Sequence, residues 1–395
     1  MPKNLPLARP LMGIEEERAV CKVLRTRWLV QGPRVAEFEA SVRRYAGFKH
    51  AVAVSSCTSA LYLCLRAAGV GPGDEVLVPG FTFVATANAV VHAGATPVFA
   101  DIDLDTFNLS PSAVEETLEQ RYRWSGRQLR NRKTGRVLRL LMIVHQFGLA
   151  ADLDRLGRIA RRFGLGILED AACALGTRVQ SRHVGRFGIA GCLSFHARKS
   201  ITTGEGGMVL TGDAALADRV RMLRDHGAAL SDHERHTKGV MSMPDYPECG
   251  FNSRMTDLQG AIGVVQMKRL PDLLARRARL AARYRDRLGD CPTLALPAHP
   301  PGLRHTWQSY VIRFPGSPER CERTARELRD QGIATRPGTH AIPWLKAFDD
   351  RASEDRPYCP NSREAERTSM ALPLFPEMSV GDVDRVCRAL RSFQF

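Results

Sequence analysis

The chain has 395 residues, 44% hydrophobic and 25% charged, with a formal net charge of +15. That is ordinary globular composition, long enough for one large domain and a smaller one. No apolar run approaches the ~20 residues that span a bilayer, and Met1 to Pro10 lack a signal-peptide core, so no membrane role is expected and the expected compartment is the cytoplasm.

The positive charge is compatible with nucleic acid, an anionic membrane surface or a phosphorylated small substrate. The basic residues are mostly Arg and are spread along the whole chain, which fits solvated faces, with an anionic small substrate as the alternative. No helix-turn-helix, RNP-type strand or zinc-finger spacing points to nucleic acid. Ten cysteines, from Cys21 to Cys387, contain no CxxC pair, so reduced thiols are expected and no metal site is.

From about residue 50 to 225, short apolar strands alternate with helical stretches. Strands are expected at Ala51 to Val54, Glu75 to Val78, Pro97 to Ala100, Leu140 to Val144, Gly166 to Glu169, Cys192 to Phe195 and Met208 to Thr211. Helical periodicity lies at Ser59 to Ala68 and Val84 to Ala93. Apolar strands alternating with helices predict a mostly parallel α/β sheet covered on both faces. Between them, the basic segment Arg121 to Arg139 reads as a solvated loop or hairpin, with contact to an anionic substrate tail or a partner as the sharper alternative.

A long helix is expected from Met255 to Leu288, broken at Pro271. Beyond it come a strand (Trp307 to Phe314), a helix (Pro318 to Gln331) and a terminal helix (Ser379 to Phe393). The change of pattern divides the chain into a large α/β domain, residues 1–270, and a smaller α+β domain, residues 271–395.

Four stretches carry chemistry. Ser55 to Leu61 (SSCTSAL) sits at a strand-to-helix junction, where free backbone N–H groups and hydroxyls suit a phosphate, or where Ser is a plain N-cap. Asp170 ends an apolar strand (LEDAA), at the sheet edge where α/β proteins bind ligands. Lys199, in SFHARK, is the only Lys between Lys133 and Lys238 in an Arg-rich chain. Lys can lose its proton and form an imine, which Arg cannot do. Glycines follow it in TTGEGG and permit a tight turn. Finally, GFNSRMTDLQ runs from Gly250 into the long helix, with Thr256 or Ser253 as its cap.

In this order the motifs resemble the DegT/DnrJ sugar aminotransferases, PLP enzymes of fold type I in the aspartate aminotransferase superfamily. The resemblance spans almost the whole chain, through GVGPGDEVLVPGFTFVATANAV from Gly69, GATPVFADID from Gly94, EDAACALG, SFHARKSITTGEGGMVLT, GFNSRMTDLQGAIG and MALPLFPEM from Met370. It implies a three-layer large domain binding pyridoxal 5'-phosphate and a small C-terminal domain. It implies that Lys199 forms the Schiff base and then moves the proton, and that Asp170 pairs with the pyridine nitrogen. By the same resemblance Phe83 stacks on the ring, and Thr58, Ser59 and Ser194 bind the phosphate. The resemblance also implies that Asn252 reaches the phosphate of a partner subunit, and hence a homodimer with shared active sites. Cys173 stands where Gln or His is common, at a position that touches the cofactor's phenolic oxygen. His196 and His340 match positions near the substrate mouth, with a structural role as the alternative for each.

The implied reaction moves an amino group from glutamate or glutamine, through a pyridoxamine phosphate form, to a keto group of a nucleotide-linked deoxy sugar. Relatives with His in place of the lysine are dehydratases, and Lys199 therefore favours transamination. A cyclitol ketone or an aminobenzoate precursor is the alternative acceptor. A PLP-binding regulatory protein without turnover is the alternative of another class.

Overall fold

Strand side chains point alternately to the two faces of a sheet, and here both sets are apolar. Ala51 and Ala53 enter one core, Val52 and Val54 the other; Leu141 and Ile143 face the first, Leu140 and Met142 the second. The computed structural model describes residues 4–230, 243–349 and 353–393, so Met1 to Lys3 and Lys238 lie outside it. Within it the main sheet runs in the order His50–Val54, Gly207–Thr211, Ala190–Ser194, Gly166–Asp170, Val137–Val144, Asp74–Pro79, Thr96–Ala100. Neighbours along this path are parallel, except that Gly207–Thr211 is antiparallel to both of its own.

Helices cover both faces, as two-sided apolar strands require. Pro33–Ala46, Pro111–Arg121, Leu153–Arg162 and the first half of Asp257–Leu288 pack on one side. Cys57–Ala67, Ala85–His92 and Ala214–Arg224 pack on the other. The buried Asp257 ties two helices of the first side together by accepting the N–H groups of Gly32, Arg34 and Val35 at the start of Pro33–Ala46.

Two expectations are corrected. The long helix runs unbroken through Pro271, from a capping box in which Thr256 and Gln259 satisfy each other's amides. Pro271 forfeits only its own bond to the carbonyl four residues back, while Leu270, Leu273 and Leu274 are buried and hold the helix on course. The expected strand at Trp307 begins only at Tyr310 and runs to Arg313. Trp307 has φ 52° and stacks on His305 with centroids 3.9 Å apart, so the chain turns before it can pair.

The basic segment is a hairpin, Tyr122–Ser125 against Gln128–Asn131, joined to the amino end of Val137–Val144. The buried Glu75 holds it, accepting from Tyr122 Oη at 2.7 Å, Asn131 Nδ2 at 3.1 Å and Thr134 Oγ1 at 3.1 Å. Toward the C-terminus, Tyr310–Arg313, Ser369–Leu372 and Arg336–Pro337 form a second, antiparallel sheet. Its core takes in Leu280, Tyr284 and Leu288 from the end of the long helix. His340–Ala341 then pairs with Phe81–Thr82, drawing this part of the chain over the carboxyl edge of the large sheet. All ten cysteines are unpaired, and no described helix is long and apolar enough to cross a membrane.

Candidate active site

The carboxyl ends of parallel strands leave backbone and side chains facing a crevice. Here Val144, Asp170 and Ser194 end their strands on a cavity of about 490 Å³. Alternation in Gly166–Asp170 splits the two acids. Glu169 turns away and is satisfied inside the protein by the amides of Gly185, Phe187 and Gly188 and by His145 Nε2 at 3.0 Å. Asp170 faces the cavity, where Oδ2 accepts from Thr86 Oγ1 at 2.9 Å and Oδ1 from the Ala172 amide at 3.1 Å. Burial pushes its carboxyl above the usual carboxylate range, against the pull of those donors and of Lys199 and His145.

The helix Cys57–Ala67 points its amino end at the same cavity. Ser56 is its N-cap and accepts the Ser59 amide at 3.0 Å. The Ser59 hydroxyl lies 3.0 Å from that of Ser56 and 3.1 Å from that of Ser55, so it is engaged within the cap. Ser56, Cys57 and Thr58 form the wall. Burial raises the Cys57 thiol well above its ordinary value, which makes it a small packed group. Gly207 makes this approach possible: a Cβ there would lie 2.3 Å from the carbonyl carbon and oxygen of Ser56.

Lys199 sits in the turn that joins Ala190–Ser194 to Gly207–Thr211. Thr202 and Thr203 both donate to the Phe195 carbonyl, by side chain at 2.9 Å and by amide at 3.0 Å, and Gly204 takes φ +83°. Gln308 clamps the residues on either side of the lysine, donating to the Arg198 carbonyl at 2.6 Å and accepting from Ser200 Oγ at 3.2 Å. Lys199 Nζ lies 3.2 Å from Cys173 Sγ.

Phe83, 58% exposed, presents its ring on the cavity wall. His196, Arg198, Arg336 and His340 complete the rim. His196 Nε2 is 3.7 Å from Glu205, and its Nδ1 accepts the Arg198 amide at 3.1 Å. Burial lowers its pKa, Glu205 opposes that, and the charges of Arg198 and Lys199 add to it.

The structure thus gathers Lys199, Asp170, Thr58, Phe83, Cys173, Ser194, His196 and His340 around one cavity. It does not bring Ser59 to the wall, nor Asn252, which is exposed and bridged to Asp225 outside the cavity of its own chain. Sequence reasoning overlooked Ser56, Thr86, Gln308 and Arg336. Ser56 and Thr86 lie inside quoted motifs; Gln308 and Arg336 come from the C-terminal part, and no local signal marks them.

A mostly parallel sheet of this order, with a lysine, a buried aspartate and a helix amino end at its carboxyl edge, defines a PLP-dependent transaminase of fold type I. The chain belongs to the DegT/DnrJ/EryC1/StrS aminotransferase family, whose profile matches residues 10–391. It is 38% identical over 397 aligned positions to the spore coat polysaccharide biosynthesis protein SpsC of Bacillus subtilis, covering 98% of this chain and 96% of that one. Among solved structures it resembles the aminotransferase TlmJ of Streptoalloteichus hindustanus, with a TM-score of 0.86 and 31% identity over 98% of both chains. It also resembles Helicobacter pylori PseC, an aminotransferase of pseudoaminic acid biosynthesis, with a TM-score of 0.87 and 25% identity over 99% of both.

Proposed function

We propose that this enzyme transfers an amino group from glutamate or glutamine to a keto group of a nucleotide-linked deoxy sugar, using pyridoxal 5'-phosphate held at Lys199 and Asp170. The convergence of Lys199, Asp170 and the helix end at Ser56 on one cavity carries the reading. The residues fit the cofactor. Asp170, buried and with one protein donor on each oxygen, gains the cation it lacks in a protonated ring nitrogen. The Ser56, Thr58 and Ser194 hydroxyls and the free amides of the first helical turn suit a phosphate, with Ser59 bracing Ser56 from behind. Phe83 offers a flat face for stacking.

When bound, the cofactor supplies a carbonyl that takes up the amine and a ring that withdraws electrons. The chain's residues do the rest. Lys199 Nζ takes the proton from the donor's α-carbon and later returns one to the sugar carbon. Asp170 stays ionised beside the ring nitrogen and keeps it charged. Gln308 fixes the backbone on both sides of the lysine, and Cys173 borders its amine. His196 and His340 face the arriving substrate. We assign Asn252 to the phosphate of a partner subunit in a homodimer, which agrees with its exposure outside its own cavity. Ten unpaired thiols support a cytoplasmic setting.

The names of the relatives support a sugar acceptor: one serves spore coat polysaccharide synthesis, another pseudoaminic acid synthesis. The net charge of +15 suits a diphosphate. Purified enzyme with cofactor, glutamate and a panel of ketones, read by mass spectrometry, tests this. Amination of a nucleotide-linked keto sugar is expected. Turnover of a cyclitol ketone or an aminobenzoate precursor alone would overturn the acceptor. Bound cofactor that no donor converts would instead mark a regulatory protein.

A further inference from the structure

The basic stretch Arg121 to Arg139 holds eight Arg or Lys residues and no acid. Its hairpin stands where Asp74–Pro79, Thr96–Ala100 and Val137–Val144 begin, whereas the cofactor cavity lies where parallel strands end. These strands have five to eight residues, so at about 3.3 Å each roughly 15–25 Å separates the two places. The charge therefore does not serve a substrate in the cavity of the same chain. It borders a second recess of about 600 Å³, the volume of a small-molecule site.

The turn from Asn131 to Arg136 forms part of its wall and is held from beneath. Asn131 is buried; its Nδ2 donates to Glu75, and its Oδ1 accepts the amides of Lys133 at 2.9 Å and Thr134 at 3.2 Å. The Asn131 carbonyl accepts the Gly135 amide and its own amide donates to the Arg136 carbonyl, both at 2.9 Å, while Gly135 takes φ +70°. A satisfied network of this kind fixes the backbone. It presents Arg132, Lys133 and Arg136 together on the recess, with Arg121 beside them. Arg121 pairs with Asp355 and Arg139 with Asp74, whereas among the described residues no carboxylate lies within ion-pair distance of Arg132 or Arg136. The two acids on the recess are already engaged, Glu75 by Tyr122, Asn131 and Thr134, Asp355 by Arg121 and the Phe99 amide. Like charges gathered on a rigid turn repel one another until an anion joins them. One ring also lines the recess: Tyr358 is exposed, with the Arg121 guanidinium 5.9 Å from its centroid.

We propose that this recess is a second ligand site, which takes the phosphates of a soluble nucleotide on Arg132 and Arg136 and its base on Tyr358. Guanidinium groups match phosphate oxygens in geometry as well as in charge. An aromatic face stacks on any base, so the class recognised is a nucleotide and not one base. Membranes and duplexes bind broad surfaces, whereas a concave site of this size fits a small molecule. The site stands apart from the cofactor cavity and does not depend on the reaction carried out there.

Calorimetric titration of the holoenzyme with inorganic pyrophosphate and with ADP tests this, since in the holoenzyme the phosphate cup at Ser56 is already filled. Both probes should bind. Arg132→Gln combined with Arg136→Gln should weaken both about 10- to 100-fold, the range of a lost hydrogen bond to a charged group. Tyr358→Ala should weaken ADP about 10-fold and leave pyrophosphate unchanged. Both arginines are exposed, so their double variant should keep the wild-type melting temperature, visible band and bleaching by glutamate. Arg123→Gln combined with Arg127→Gln removes the same charge from exposed positions outside the recess, and it should bind both probes as the wild type does. Equal weakening by the two double variants would mean diffuse attraction and overturn the proposal. Binding that survives Arg132→Gln with Arg136→Gln would place the anion elsewhere and overturn it too. No heat from either probe at millimolar concentration would do the same. Unchanged ADP binding in the Tyr358→Ala variant would overturn the base contact. Phosphatidylglycerol vesicles that sediment the protein while neither probe binds would overturn the proposal in favour of a membrane surface.

Discussion

The hydroxyl of Thr86 donates to Oδ2 of Asp170 at 2.9 Å, and it is itself held 3.1 Å from the hydroxyl of Thr82. This chain of hydroxyls orients a carboxyl that burial disfavours as an anion. The pair thus places an ionisable group where only a cationic ligand restores its charge cheaply.

Asp170→Asn therefore separates stability from function. A carboxyl with a raised pKa binds its proton more tightly folded than unfolded, so the ionised form weakens the cofactor-free protein as pH rises past the unfolded value. The amide removes that charge and can still accept from Ala172. Thermal melts at pH 7 should show the cofactor-free variant at least as stable as the wild type. Its turnover should drop about 10²- to 10³-fold, as when one preorganised electrostatic partner is removed. A melting temperature several degrees lower would contradict this account.

Gly207→Ala addresses the phosphate cup. The added Cβ meets the backbone of Ser56 and Cys57, which cannot swing aside as a side chain would. Overpacking of this kind costs about 1–3 kcal/mol. Dialysis should show faster cofactor loss than in wild type, and denaturation a lower midpoint. Gly212→Ala, where the added carbon meets nothing within 4 Å, serves as control. Equal behaviour of the two variants would remove the glycine's role.

The motifs were legible because each is a local junction: a strand end, a cap or a turn whose residue types serve both backbone and chemistry. Asp170 and Lys199 announced themselves in this way. Ser59 marks the limit, since a Ser-rich junction does not reveal which hydroxyl caps the helix and which faces out; here Ser56 does both. Gln308 lies 110 residues from the carbonyl it holds, and Arg336 belongs to a strand whose partner, Ser369–Leu372, is distant in sequence. Contacts of that range leave no periodic signal. Pro271 shows the converse, a strong local breaker overruled by burial on the helix around it.

Acid should weaken the fold through two buried histidines. His183 accepts the Gly176 amide on Nε2, and burial lowers its pKa to about 4; His305, stacked on Trp307, is lowered by burial to about 3. Both must be neutral when folded, whereas the unfolded chain takes up the proton near pH 6.5. Stability is thus full above pH 6.5 and declines as pH falls toward 4 and 3. At pH 5 each contributes a loss of about 2 kcal/mol. Urea midpoints measured from pH 8 to 5 should fall below 6.5, and His183→Gln should flatten the slope. A midpoint unchanged down to pH 5 would refute the assignment.

A shared active site predicts complementation. Lys199→Ala and Asn252→Ala dimers should each be inactive or severely weakened. Denatured together and refolded, they should recover about a quarter of wild-type activity, because half the dimers are mixed and each mixed dimer holds one intact site. If Asn252 acts within its own chain, no activity returns.

The central claim, that Lys199 joins the cofactor and transfers the proton, is tested most directly by the absorption spectrum of the purified protein with pyridoxal 5'-phosphate, before and after L-glutamate. The account predicts a visible Schiff-base band that glutamate bleaches, that an added keto sugar restores, and that Lys199→Ala never shows. A band that survives Lys199→Ala and still responds to glutamate would contradict it.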